Sequence, residues 1–169
     1  MKVVLVEGVS DQLALEALAR RRGRDLEAEG VSVVAIGGAQ AIGKHVERLH
    51  PHVTLAGLCD VQEERHFREA FEAAGLARSF FVCNRDLEDE LIRALGVEAV
   101  EEVLAARNEL GLFRSFQQQP AWRGRDPGEQ LRRFLGTFSG RKIQTGAMLV
   151  DALDLDRVPR PLDAVLALV

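Results

Sequence analysis

Four short apolar runs set the terms on which this chain can fold. Lys2 to Val6, Val31 to Ile36, Val53 to Leu58 and Ser79 to Val82 are rich in β-branched and aromatic residues, and they read as strands buried on both faces. Each gives way to a turn: Glu7-Gly8, Gly37-Gly38, Cys59-Asp60 and Cys83-Asn84-Arg85-Asp86. Behind the first, Leu13, Ala14, Ala17 and Leu18 recur at helical spacing, with Ser10 as the expected N-cap and Arg20-Arg21-Arg22-Gly23 as the stop. Helices are likewise expected from Ala39 to Leu49, Glu63 to Ala74 and Leu87 to Leu95. Strands alternating with helices at this period imply an α/β fold, a four-stranded and mainly parallel sheet flanked by helices.

From Val97 onward no further strand is evident. The spacing predicts helices over Val97 to Arg107, Leu112 to Phe116, Glu129 to Leu135, Arg141 to Leu153 and Leu162 to Leu168. The expected organisation is a core over 1–96 and a helical extension over 97–169 packed on it as a single compact domain. With 169 residues the chain buries a core without staples, so Cys59 and Cys83, which follow apolar runs and lack ligand spacing, read as small buried hydrophobes. No run has the length of a membrane span, and Glu7 follows too soon for a signal peptide, so a cytoplasmic protein with no membrane partner is expected. His45, His50, His52 and His66 lie away from the strand ends and read as surface histidines.

The carboxylates are placed less blandly. Glu7 follows the first strand, Asp60 the third, and Asp86 and Glu88 the fourth, all at the carboxyl edge where open parallel sheets hold their ligands. Asp11 lies four residues after Glu7, at the head of a helix whose dipole favours an acid. Acids gathered at one edge repel unless a cation neutralises them. A hard divalent ion such as Mg²⁺ does so with one or two carboxylates, several waters and substrate phosphate. Two such ions stabilise both the attacking and the leaving oxygen of a phosphodiester cleavage.

Glu7-Gly8-Val9-Ser10-Asp11 after Val3-Val4-Leu5-Val6, Gly37-Gly38, Asp60, and Asp86-Leu87-Glu88-Asp89-Glu90-Leu91 together resemble the Toprim domain, more closely that of the OLD (overcoming lysogenization defect) nucleases. The resemblance covers residues 1 to about 95 and continues loosely to Ser139-Gly140-Arg141-Lys142. It implies a Toprim-like fold and a Mg²⁺- or Mn²⁺-dependent endonuclease holding one or two ions. Glu7, Asp11, Asp60 and Glu88 would be the metal ligands, and Glu7, Asp60 and Lys142 the catalytic set, with Lys142 neutralising charge that develops on the phosphate. Two departures stand out. The third-strand motif of that family is Asp-x-Asp, whereas here it reads Asp60-Val61-Gln62, and glutamine brings no negative charge. Glu63 or Glu64 is a candidate substitute. The family's usual ATPase domain has no counterpart in this sequence, so a stand-alone Toprim protein with a partner ATPase is expected.

The net charge of −4 argues against indiscriminate nucleic-acid binding, but it is unevenly spread. Residues 1–106 hold 12 Lys and Arg against 19 Asp and Glu, whereas residues 107–142 hold 8 against 3. That basic segment interleaves Arg107, Arg114, Arg123, Arg125, Arg132, Arg133, Arg141 and Lys142 with Phe113, Phe116, Trp122, Phe134 and Phe138. Arginine among aromatics suits a phosphate backbone with splayed bases, and equally suits a solvated helical core. The nucleic-acid contacts expected are Trp122, Arg123, Arg125, Arg132, Arg133 and Arg141, with DNA rather than RNA as partner. The alternative, favoured by Gln62, is a catalytically weak nucleic-acid-binding or regulatory module acting with a partner protein. A small-molecule phosphate site at Gly37-Gly38 is a weaker third reading, since no phosphate-loop pattern accompanies it.

Overall fold

In a computed structural model, which describes residues 1–136 and 139–169 but not the side chains of 139–142, each of the four apolar runs forms a strand. These are β1 (Lys2–Val6), β2 (Val31–Ala35), β3 (Thr54–Asp60) and β4 (Phe80–Cys83). They pair in the order β2-β1-β3-β4, every pair parallel. The helices between them are α1 (Val9–Arg21), α2 (Ile42–Leu49), α3 (Glu64–Ala73) and α4 (Leu87–Leu95). After them come α5 (Val97–Ala106), α6 (Leu110–Gln117), α7 (Pro127–Gly136), α8 (Ser139–Ala152) and α9 (Arg160–Leu168). The fold is the expected α/β sheet, and three local expectations change. Ala39–Ala41 is a 3-10 turn ahead of α2. Gly8, not Ser10, is the N-cap of α1, and Asp11 reaches back to accept from the Gly8 N–H at 2.9 Å. Strand β3 runs on to Asp60 because β4 supplies partners there, Cys59 opposite Val82 and Asp60 opposite Cys83.

The chain leaves β1 to one side for β2, then returns past it to β3, so the carboxyl ends of β1 and β3 flank the point where strand order reverses. Ligand crevices of open α/β sheets open at such a point. Side chains alternate between faces: Val4, Val6, Ala56, Leu58 and Cys83 pack in the core that α1 shares, while Val3, Leu5, Leu55 and Cys59 pack with α2 and α3. Asp60 continues the Leu58 face, toward α1. On the other face Gly57 has no side chain because one would meet Phe71 Cζ at 2.9 Å and Phe67 Cδ1 at 3.2 Å.

The helices after Val97 complete the layer over the α1 face. Leu149, Val150, Leu153, Leu162, Val165 and Leu166 belong to the same core cluster as Val4 and Leu58, and α8 lies along α1. Two arginines, Arg21 in the expected helix stop and Arg24 just past it, bind this layer. Arg21 donates to the carbonyls of Val150 and Leu153 at the end of α8, and Arg24 donates to Leu166 O at 2.6 Å and Val169 O at 3.0 Å. They satisfy carbonyls that helix termini leave without partners. Arg24→Ala is expected to lower unfolding free energy by about 1–3 kcal/mol, the cost of charged hydrogen bonds lost from half-buried acceptors, read as a lower urea midpoint at unchanged slope.

Candidate metal centre and adjoining basic cleft

The carboxyl edge of the sheet opens into a cleft of about 470 Å³ lined by Glu7, Gly8, Val9, Ser10, Asp11, Gly37, Gly38, Asp60, Glu88 and Ile143. All four expected metal ligands line it. Glu7 leaves β1, and its carbonyl accepts from the Gly37 N–H at 3.1 Å and the Gly38 N–H at 3.3 Å. That backbone needs glycine, since Gly37 and Gly38 have φ of +75° and +117°. The glycine pair therefore ties the ends of β1 and β2 together at the floor of the cleft. Asp11 enters from the first turn of α1. Glu88 enters from the first turn of α4, only 9% exposed, with the Ser10 hydroxyl 3.5 Å from its Oε1.

Asp60 shows what this convergence does. Burial, then the charges of Asp11, Asp86, Glu7 and Glu88, push its carboxyl from 3.8 up to about 8. A divalent cation bound among these carboxylates would lower the cost of ionising Asp60. Among the described residues no group of three or more His, Cys, Asp or Glu side chains is arranged to hold a metal ion. Magnesium does not require one, because it keeps several waters and takes one or two carboxylates. The donor set, all hard oxygen with a hydroxyl beside it, fits Mg²⁺ or Mn²⁺ and not a thiolate-seeking metal. Burial pushes both cysteine thiols up, and Cys59 and Cys83 are free and buried, as small hydrophobes.

Gln62 stands exposed in the turn after β3 and does not line the cleft. Neither candidate substitute replaces it: Glu64 pairs with Arg68 along α3, and Glu63 lies 3.9 Å from His66. The expected Lys142 and Arg141 side chains lie outside the described residues, as does Phe138. Their neighbour Ile143 lines the cleft.

A second, smaller cleft of about 210 Å³ adjoins the first and shares Glu88 with it; Asp86, Trp122, Glu129, Arg132, Arg133 and Gly136 complete its lining. Of the basic segment, Arg132 and Arg133 therefore stand beside the acidic site. Among the described residues, the others are used internally. Phe113, Phe116 and Phe134 form the core of the helical layer. Trp122 stacks on Phe116 at 5.3 Å and carries the Arg125 guanidinium 5.3 Å from its ring centroid, so its ring is engaged within the protein as well as lining the cleft. Arg123 donates to Gln118 O at 3.0 Å and Arg125 to Ala121 O at 2.7 Å, bracing their own loop. Sequence reasoning missed Asp86 as a pivot of the site. It is the N-cap of α4, accepting from the Asp89 N–H at 2.8 Å, and the Asp-x-x-Asp spacing was the available signal.

Among the described residues no helix is long and apolar enough to cross a membrane. No curated protein matches the sequence. Residues 1–52 match the family described as Overcoming lysogenization defect protein-like, TOPRIM domain. Among solved structures, the C-terminal region of the Burkholderia pseudomallei OLD protein superposes with a TM-score of 0.73 at 16% identity, covering 99% of this chain and 95% of that one. The C-terminal region of the Xanthomonas campestris pv. campestris OLD protein superposes with a TM-score of 0.71 at 21% identity, covering 99% and 93%. In sequence over its first 52 residues and in fold over nearly its whole length, the chain resembles the Toprim region of OLD proteins.

Proposed function

We propose that this chain carries out metal-dependent phosphodiester cleavage of nucleic acid, DNA in preference to RNA. The observation that carries the reading is the convergence of Glu7, Asp11, Asp60 and Glu88 on one cleft, with Asp60 held up near 8 by burial first and by the neighbouring acids after it. Glu7, Asp11, Asp60 and Glu88 hold Mg²⁺ or Mn²⁺, which when bound supplies an acidified water and counter-charge for the leaving oxygen. Glu7, fixed by the glycine pair, and Asp60, fixed by the β3 ladder, present oxygens from rigid backbone. Arg132 and Arg133 line the wall along which a phosphate backbone approaches, and Lys142 offsets charge developing on the phosphate. Plasmid and single-stranded DNA incubated with the protein and Mn²⁺ should be cut, and Glu7→Gln should slow cutting by about 10²-fold or more. Intact DNA, or equal cutting by Glu7→Gln, would count against the proposal.

A second reading rests on Gln62, exposed where the resembled motif has an acid. Here the chain is a catalytically weak nucleic-acid-binding module that acts with a partner protein, such as an ATPase. It expects binding that survives chelation, weakens with salt, and falls on Arg133→Ala. Binding that needs Mn²⁺ and disappears in Glu7→Gln favours the nuclease.

A further inference from the structure

Helix α7, in the basic segment, is bolted to the turn that carries Glu88 by two ion pairs of opposite sense. Arg85 grips Glu129 with both guanidinium nitrogens, Nη2 to Oε2 at 3.1 Å, and also lies 3.5 Å from Asp89. The next residue, Asp86, receives Arg132, whose Nε donates to Oδ2 at 2.7 Å with Nη2 on the same oxygen. Glu129 and Arg132 are three apart on α7 and share a face, so one rigid helix holds two consecutive residues. Those residues need holding. Arg85 has φ of +82°, a left-handed conformation unfavourable to a side chain, and Asp86 spends its other oxygen capping α4. Glu88, two residues further on, is part of both clefts.

We propose that Arg132 and Glu129 are positioning residues that set Glu88 for divalent-ion binding, so the α7 wall beside the acidic cleft tunes the metal site. This rests on the metal-dependent reading above. Loss of a support of this kind behind a ligand typically costs about 10–100-fold in metal affinity.

Mn²⁺ titration of the full chain, followed by electron paramagnetic resonance of free Mn²⁺ alongside urea unfolding, tests it. Arg132→Met should weaken Mn²⁺ binding by about 10-fold or more, and Arg132→Lys, which keeps charge but not the two-point grip, should recover part of that loss. Arg85→Glu and Glu129→Arg should each weaken binding, and the double exchange should return it to within about threefold of the parent. An Arg132→Met protein binding Mn²⁺ within about twofold of the parent overturns the positioning role. Should that variant not fold, the exchange decides: single variants with parental affinity, or a double variant no better than either, overturn it equally. A parent protein that takes up no Mn²⁺ overturns the metal reading itself, whereas a parent that binds while every variant binds equally overturns only the role of α7.

Discussion

Asp60→Asn should stabilise the metal-free fold above neutral pH while removing Mn²⁺ binding and lowering cleavage by about 10³-fold, the scale of several kcal/mol of transition-state stabilisation. The sign follows from the raised carboxyl. Unfolded, Asp60 ionises near its ordinary 3.8, whereas folded it holds its proton to about 8. Between those values the folded state binds a proton that the unfolded state has released. Its contribution to stability is therefore full below about pH 4 and is lost as pH rises through about 8. Asparagine cannot ionise, so the urea midpoint of the variant should exceed that of the parent increasingly from pH 5 to 7 to 9. A constant difference across that range would contradict the raised carboxyl. On the proposed function the same residue would be a burden to the empty fold and a requirement of the occupied one, a trade expected at sites built for charge.

Gly146→Val is the second large effect, and it acts on fold and site together. A Cβ at Gly146 would lie 3.0 Å from the Ser10 carbonyl, 3.1 Å from Ala14 Cβ and 3.2 Å from Leu87 Cδ2. Helix α8 therefore touches at one point the first turn of α1, which carries Asp11, and the first turn of α4, which carries Glu88. A branched side chain there forces both away. The expected cost is about 1–3 kcal/mol or more from overpacking, with the gain in helix propensity over glycine too small to offset it. Mn²⁺ affinity should fall with stability, in contrast to Arg24→Ala at the far end of the layer, which should lower stability and leave affinity unchanged.

The strands and the acids at their ends were readable because both depend on local pattern: an apolar run, a turn, and a carboxylate at the edge where α/β sheets bind ligands. Glu7, Asp11, Asp60 and Glu88 were placed together from spacing and resemblance alone, and the structure brings them to one cleft. What escaped depends on packing and hydrogen-bond partners, near or far along the chain, that no periodicity announces. Arg20-Arg21-Arg22-Gly23 reads as a helix stop, yet Arg21 meets carbonyls about 130 residues away, and no local signal announces that. Trp122 reads as an exposed stacking ring in a polar loop, but Phe116, on the preceding helix, occupies it. Asp86 reads as one more acid and is instead a cap shared between α4 and Arg132. Charge alone could not separate arginines that face the acidic cleft from those that brace their own loop.

On the proposed function the four acids form a site where a divalent cation displaces the proton on Asp60. Calorimetric titration of Mn²⁺ at pH 7 in two buffers of different ionisation enthalpy measures that displacement directly. Saturable binding is expected, with release of about one proton per ion at pH 7, falling toward zero above pH 9 and lost in Asp60→Asn. Binding without proton release at pH 7, or no binding in the parent protein, would contradict it.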